Sequence, residues 1–295
     1  MRKNSVMGVP AACFWAVVAT CLLGILVGSF FDFEISEALA NKTEPGDLFA
    51  TYCLIVPHFF YAAAGGCIYT GLAKKRKPLA RTLLAVVVFY AVYQSESRYG
   101  SRIRGLFGYI PGESAAILYL PTWLFWVAVY ALVAFVVIRL LDDSDPDRVL
   151  AVGVAILAAG IISGSVNSWL KMVGARPRYK YLLKQDDPRA EFRNWWQMVP
   201  CLSGSDNFKS WPSGHMTSFG ILFTLPMLTD VMKNRSRKRN LIVFCLVCVL
   251  TLICGYNRIH MTNHFLSDVC FGCLITYLIF SGVSTAFLGN STKTP

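Results

Sequence analysis

Long apolar stretches alternate with short polar ones from one end of this chain to the other. Eight of them reach or approach the roughly 20 residues a helix needs to cross a bilayer: 9–31, 50–73, 80–95, 115–140, 148–171, 214–232, 240–256 and 265–288. The runs do not alternate as barrel strands do, and in hydrocarbon each backbone amide must bond within its own segment, so they predict helices. The expected fold class is all-α, a polytopic transmembrane helical bundle of about eight spans. The third stretch is the weakest of the eight. The first follows Arg2 and Lys3 too closely, and is too long, for a cleaved leader.

The polar segments orient the bundle. Lys74, Lys75, Arg76, Lys77 and Arg81 follow the second stretch, and Lys233, Arg235, Arg237, Lys238 and Arg239 follow the sixth. Positive loops stay cytoplasmic, so both termini are expected inside, in keeping with Arg2 and Lys3. The acidic segment Asp32 to Asp47 then lies outside; the acidic loop 141–148 falls inside, against the trend, but acidic residues weigh little in this rule. Segments 172–213 and 257–264 both emerge on the extracytoplasmic face. Residues 1–140 read as amino-terminal transmembrane segments and 141–295 as a catalytic bundle within one integrated membrane domain.

Composition agrees with a multi-pass integral membrane protein, in a cell membrane, with 55% apolar and 15% charged residues. The net charge of +11 is clustered between apolar runs, which makes it topology information and excludes a nucleic-acid partner. Nine of ten cysteines lie in or beside apolar runs, with Cys201 in a loop. The pairs Cys245/Cys248 and Cys270/Cys273 read as small buried helix residues, so no metal or redox site follows.

Three polar motifs each sit at the outer end of an expected span: KMVGARPRY with Lys171 and Arg178, then Pro212-Ser213-Gly214-His215, then RIHMTNHFLSD with Arg258, His264 and Asp268. A phosphate monoester carries nearly two negative charges, and its transfer needs cations that follow charge into the transition state. Lys171, Arg178 and Arg258 supply them; arginine grips two oxygens in its planar fork, and lysine adds a point charge. Ser213 and Gly214 open the sixth span, where their amides and the helix dipole would face the same anion. Imidazole can act as nucleophile or acid near neutrality. Asp268, four residues after His264, would share its helical face and orient it as nucleophile, leaving His215 to protonate the departing alkoxide. No cofactor or metal ion is called for.

These residues resemble the three-motif signature of the type 2 phosphatidic acid phosphatase and haloperoxidase superfamily, K-x6-RP, PSGH and SR-x5-H-x3-D, and in particular its membrane lipid phosphatase branch. The second motif is complete. Asn257 stands in the serine position of the third, and Tyr179 replaces the proline of the first. An alternative alignment takes Arg176-Pro177 as the RP pair but puts Trp169 where the lysine belongs, so Arg178 is the expected clamp and Arg176 the reserve. The resemblance covers the last half of the chain and implies a core helical bundle like that of the type 2 phosphatidate phosphatases, with a vanadate-sensitive histidine mechanism. Membrane members usually have six spans, so eight implies two extra ones at the amino-terminal side.

The expected activity is a metal-independent phosphoric monoester hydrolase acting on a lipid phosphate or diphosphate. The phosphorylated lipid and the bilayer are its expected partners. The alternatives are a lipid-linked phosphotransferase using the same histidine and a non-enzymatic anion transporter; a transporter would have no use for a nucleophile with its own carboxylate. Residues 179–211, with Lys180, Lys184, Arg189, Arg193, Trp195, Trp196 and Trp211, read equally as a headgroup-level lid or a plain interfacial loop. In the leading spans, His58 is expected as a hydrogen-bonded core residue, with Glu96 and Glu113 the other features of chemical interest. Arg98, Arg102 and Arg104 are expected at the outer interface in a solvated loop. His260 reads as a neighbour of the motif, and Asn41-Lys42-Thr43 as a sequon-like triplet on the outer side.

Overall fold

The computed structural model describes residues 5–40, 53–106, 120–200 and 204–289. A short hairpin, β1 (Ser5–Val6) and β2 (Val9–Pro10), precedes a bundle of helices: α1 (Ala11–Leu39), α2 (Val56–Ala73), α3 (Lys77–Leu106), α4 (Leu120–Leu141), α5 (Pro146–Val173), the single turn α6 (Tyr179–Leu182), α7 (Gly214–Phe219), α8 (Leu225–Asp230), α9 (Arg237–His260) and α10 (Leu266–Gly289). Glu113, the Asn41 triplet and Cys201 lie outside the described residues, as do the side chains of Arg102 and Arg104.

Among the described residues six helices are long and apolar enough to cross a membrane: Ala11–Leu39, Lys77–Gly100, Leu120–Leu141, Pro146–Val173, Arg237–His260 and Leu266–Leu288. Leu22, Leu26, Phe30, Phe89, Leu132, Leu246 and Leu252 stand exposed on them. Apolar side chains that face outward all along long helices fit contact with lipid, making this an integral membrane protein. Two of the eight expected segments fall outside this set by length or composition. One is α2, rich in Gly and Ala, which packs against α3, α4 and α5. Its neighbours shield it from lipid, and its small residues let backbones touch: a Cβ on Gly66 would sit 2.8 Å from the Ala134 carbonyl oxygen. The other is 214–232, which breaks into α7, a 3-10 stretch over Gly220–Thr224, and α8. At Gly220 an added Cβ would lie 2.8 Å from Thr276 Cγ2 of α10, and Pro226 restarts the coil as α8.

The helix ends carry recognisable signals. Asp145 caps α5, accepting from the Asp147 amide at 3.0 Å, with Pro146 in the first turn and Gly174 just past the end. At 28 residues, α5 is about 42 Å long and joins the two ends of the bundle. At its start, Lys75 pairs with Asp147 at 2.9 Å, Lys233 with Asp143 at 3.0 Å and Arg148 with Asp230 at 3.3 Å. The acidic loop that ran against the charge rule therefore sits among the basic clusters, where it offsets their repulsion.

The first helix also differs from expectation. It runs on to Leu39 instead of ending near residue 31, so Asp32 is a buried helical residue, not the start of an outer loop. Its charge is matched by Arg176, as described below. Of the two CxxC pairs, Cys273 is buried, Cys248 and Cys270 are half-buried, and Cys245 is exposed on the outer surface of α9.

Candidate active site

The end of α5, the start of α7 and the α9–α10 turn meet at one end of the bundle. There Lys171, Arg178, Gly214, His215, Arg258 and His264 line one cavity of about 1100 Å³. Three motifs distant in sequence thus share one space.

The α9–α10 turn fixes the third motif. Met261 ends α9 by bonding back to Asn257, and the Asn263 and His264 amides both reach the Arg258 carbonyl at 3.2 Å. Thr262 adopts φ 55°, a strained conformation for a β-branched residue, and its carbonyl accepts from the Lys180 amide at 2.9 Å. The turn delivers His264 into the cavity wall with 1% of its surface exposed. His264 Nδ1 lies 2.7 Å from the Ser210 carbonyl oxygen. A carbonyl can only accept, so Nδ1 carries the hydrogen and Nε2 keeps the lone pair. Burial, then the charges of Arg178 and Lys171, hold this imidazole well below its usual pKa of 6.5. The His215 ring stands 6.1 Å away, centroid to centroid, at 65°.

Asp268 does not hold His264 directly, contrary to expectation. Its Oδ2 is 4.0 Å from Nδ1, beyond hydrogen-bond reach. That oxygen accepts instead from Ser210 Oγ at 2.5 Å and the Phe265 amide at 3.0 Å. His264 precedes α10, so the expected shared helical face is not formed, and the imidazole is bonded to the backbone of Ser210. Asp268 thereby anchors the residue whose carbonyl holds the histidine.

The two arginines of the first motif separate cleanly. Arg178 lines the cavity, its guanidinium held by Asp206 Oδ1 at 2.8 Å, the Asp206 carbonyl at 2.8 Å and Asn263 Oδ1 at 3.1 Å. Burial draws its pKa down, and Asp206 opposes that shift. Arg176 is buried outside the cavity. It donates to Asp268 Oδ1 at 2.7 Å, Ser267 Oγ at 2.9 Å, Asp32 Oδ2 at 2.9 Å and the Arg193 carbonyl at 2.7 Å, and its guanidinium lies over the Phe265 ring at 4.2 Å. Every face of that side chain is occupied, and of the two arginines it is Arg178 that lines the cavity. Lys171 Nζ donates to the Lys209 carbonyl at 2.6 Å. Arg258, 1% exposed, is braced by Asn257 Oδ1 through Nε at 3.1 Å and through Nη2, so the asparagine in the motif's serine position supports the arginine beside it.

At the second motif, Ser213 caps α7 through the Met216 amide, and its own amide donates to the Asp268 carbonyl at 2.9 Å. That amide is therefore taken, and the expectation that it faces an anion is corrected; Gly214 lines the cavity. An added Cβ at Gly214 would lie 3.4 Å from Lys171 Cε, an ordinary contact distance.

The loop between the first and second motifs folds down over the third motif. Phe192 packs on Phe33 and Phe265, Trp195 Nε1 donates to Ser29 Oγ at 2.9 Å, and Arg189 pairs with Glu34 at 2.5 Å. His260 Nδ1 lies 2.7 Å from the Leu39 carbonyl, away from the cavity lining. Asp32, Ser210 and Ser267 were not singled out in sequence. The one available signal was Asp32, a carboxylate at the end of an apolar run. Among the described residues no group of three or more His, Cys, Asp or Glu side chains converges as a metal-holding set.

The profile of the PAP2 superfamily matches residues 148–291. This half of the chain belongs to the PAP2 superfamily. Membership points to phosphatase or phosphotransferase chemistry on a phosphorylated substrate, in a bilayer context. The matched PAP2 region begins at α5 and carries all three motifs, while α1, which supplies Asp32 to Arg176, lies before it. No curated protein and no solved structure matches the chain.

Proposed function

We propose that this chain hydrolyses a lipid phosphate or diphosphate monoester through a phosphohistidine at His264, on the extracytoplasmic face of a cell membrane, and without a metal ion. The observation that carries this reading is a buried imidazole, its Nδ1 2.7 Å from the Ser210 carbonyl oxygen, sharing a cavity with three cations and a second histidine. In the first step the Nε2 lone pair attacks phosphorus, the bond from phosphorus to the ester oxygen breaks, and His215 gives its proton to that oxygen. In the second, His215 takes a proton from water, whose oxygen attacks phosphorus as the P–N bond breaks and inorganic phosphate leaves. Lys171, Arg178 and Arg258 bear the charge on the phosphoryl oxygens in both transition states. Asp268 acts as a positioning residue through Ser210, and its charge near the ring favours the cationic imidazole of the intermediate.

In this reading residues 141–295 form the catalytic bundle and 1–140 the attached amino-terminal segments. The basic clusters at the far end support a cytoplasmic placement of that end, hence an outward-facing site. The apolar floor of the cavity, with Leu54, Ile161, Ile221 and Phe280, suits a lipid tail. Transfer to an alcohol in place of water would share the first step.

Purified protein in liposomes, given lipid phosphomonoesters with and without an added alcohol, is expected to release inorganic phosphate as the main product. Predominant transfer to the alcohol would overturn hydrolysis in favour of the phosphotransferase. The same assay reads the histidine. A pKa depressed in the free protein keeps His264 unprotonated as pH falls, so its acid limb in kcat/KM should lie below pH 6.5. Loss of kcat/KM already complete at pH 6.5 would contradict a buried neutral nucleophile.

A further inference from the structure

The cavity does not end at the motifs. Its lining continues along α5 from Lys171 to Gly160, eleven residues or roughly 16 Å at the rise of an α-helix. That is several times the width of a phosphate. The opposite wall comes from α2 and α3, outside the matched PAP2 region, and it is polar. Tyr90, Gln94 and Arg98 recur every four residues on α3, forming one stripe along its cavity face, and Gln94 Nε2 donates to Tyr90 Oη at 2.8 Å. His58 of α2 also lines the cavity, with only 3% of its surface exposed.

His58 belongs to a chain that crosses three helices. Its Nδ1 lies 2.8 Å from Ser95 Oγ on α3, which lies 2.6 Å from Tyr130 Oη on α4. Whichever way the hydrogens run, Nε2 is the ring's remaining polar atom, and among the described residues no protein group bonds to it. His58 lines the cavity, so a partner for that nitrogen would come from there. His58 is thus the hydrogen-bonded core residue expected from sequence, and its second nitrogen is left for the cavity.

We infer that α2 and α3 build a second, polar subsite in this cavity, in which Arg98, Gln94 and His58 hold the part of the substrate that is not transferred: a hydroxyl-bearing headgroup with a second anionic group. Arg98, exposed to the cavity, takes the anion; Gln94 and the His58 Nε2 take hydroxyls or ester oxygens. The apolar floor beyond them receives the chain. This rests on the proposed phosphate site at the other end of the same cavity, and it narrows the substrate to a lipid whose terminal phosphate is joined to its tail through a polar, charged linker.

Two non-hydrolysable probes separate this from the hydrolysis itself: dodecyl phosphonate, and a dodecyl lipid whose terminal phosphonate is linked through a glycerol phosphodiester. Calorimetry on the full chain in detergent should show the second probe binding at least about tenfold more tightly. Arg98→Gln should reduce that ratio to near one, and His58→Gln should reduce it in part. Arg98 is exposed, so its variant decides the matter even if His58→Gln does not fold. A ratio near one in the unsubstituted protein, or a ratio unchanged by Arg98→Gln, would overturn the subsite. Phosphate release from the matching phosphate esters, read in parallel, tests the proposed hydrolysis separately.

Discussion

Replacing His264 by alanine is expected to lower phosphate release by at least ~10³-fold while leaving the protein folded and able to bind vanadate. The expectation follows from the division of labour in the cavity. The ring's Nδ1 is committed to the Ser210 carbonyl, its Nε2 is the atom available to phosphorus, and no other side chain at that position can replace it. His215→Ala should cost ~10²–10⁴-fold, since general acid catalysis is lost but the nucleophile remains. A substrate with a good leaving group, such as an aryl phosphate, should recover much of the His215 loss and none of the His264 loss. Phosphate release by His264→Ala at an unchanged rate would remove the mechanism; equal recovery of both variants would exchange or abolish the assigned roles.

Arg176→Ala is expected to destabilise the fold by about 3–5 kcal/mol, because it strands two buried carboxylates, Asp32 and Asp268, without their cation. In detergent this should lower the thermal midpoint by on the order of 10 °C. Arg176→Lys should fall between, keeping charge but losing the fork that serves both carboxylates at once. The neighbouring Arg178→Ala provides the contrast: its ion-pair partner Asp206 is 68% exposed and can return to water, so activity should fall with little change in stability. Equal thermal midpoints for Arg176→Ala and the unsubstituted protein would mean that the Asp32–Arg176–Asp268 cluster does not hold this end of the bundle together.

That pair of arginines shows what was legible in the sequence. The spacing from Lys171 selected Arg178, and the structure turns Arg178 toward the cavity and Arg176 toward α1 and α10. The three motifs were readable because each is a polar break at the end of an apolar run, and apolar runs fix where membrane helices stop. Ser210 was not readable, because the group it offers His264 is a backbone carbonyl, which every residue has. Asp32 escaped because a carboxylate after an apolar run looks the same whether water or an arginine from 144 residues away matches it. Hydropathy registers how apolar a segment is and not how it is packed, so neither the walling-in of α2 by other helices nor the break within 214–232 was legible.

The most direct test of the central claim is to mix the protein with lipid carrying a ³²P-labelled terminal phosphate, quench within the first turnover in alkali, which preserves phosphohistidine, and map the label by mass spectrometry. The account predicts a single alkali-stable, acid-labile adduct on the peptide containing His264. It predicts none in His264→Ala, and a longer-lived adduct in His215→Ala with an aryl phosphate donor. Label on another residue, or none at any quench time while phosphate is still released, would contradict it.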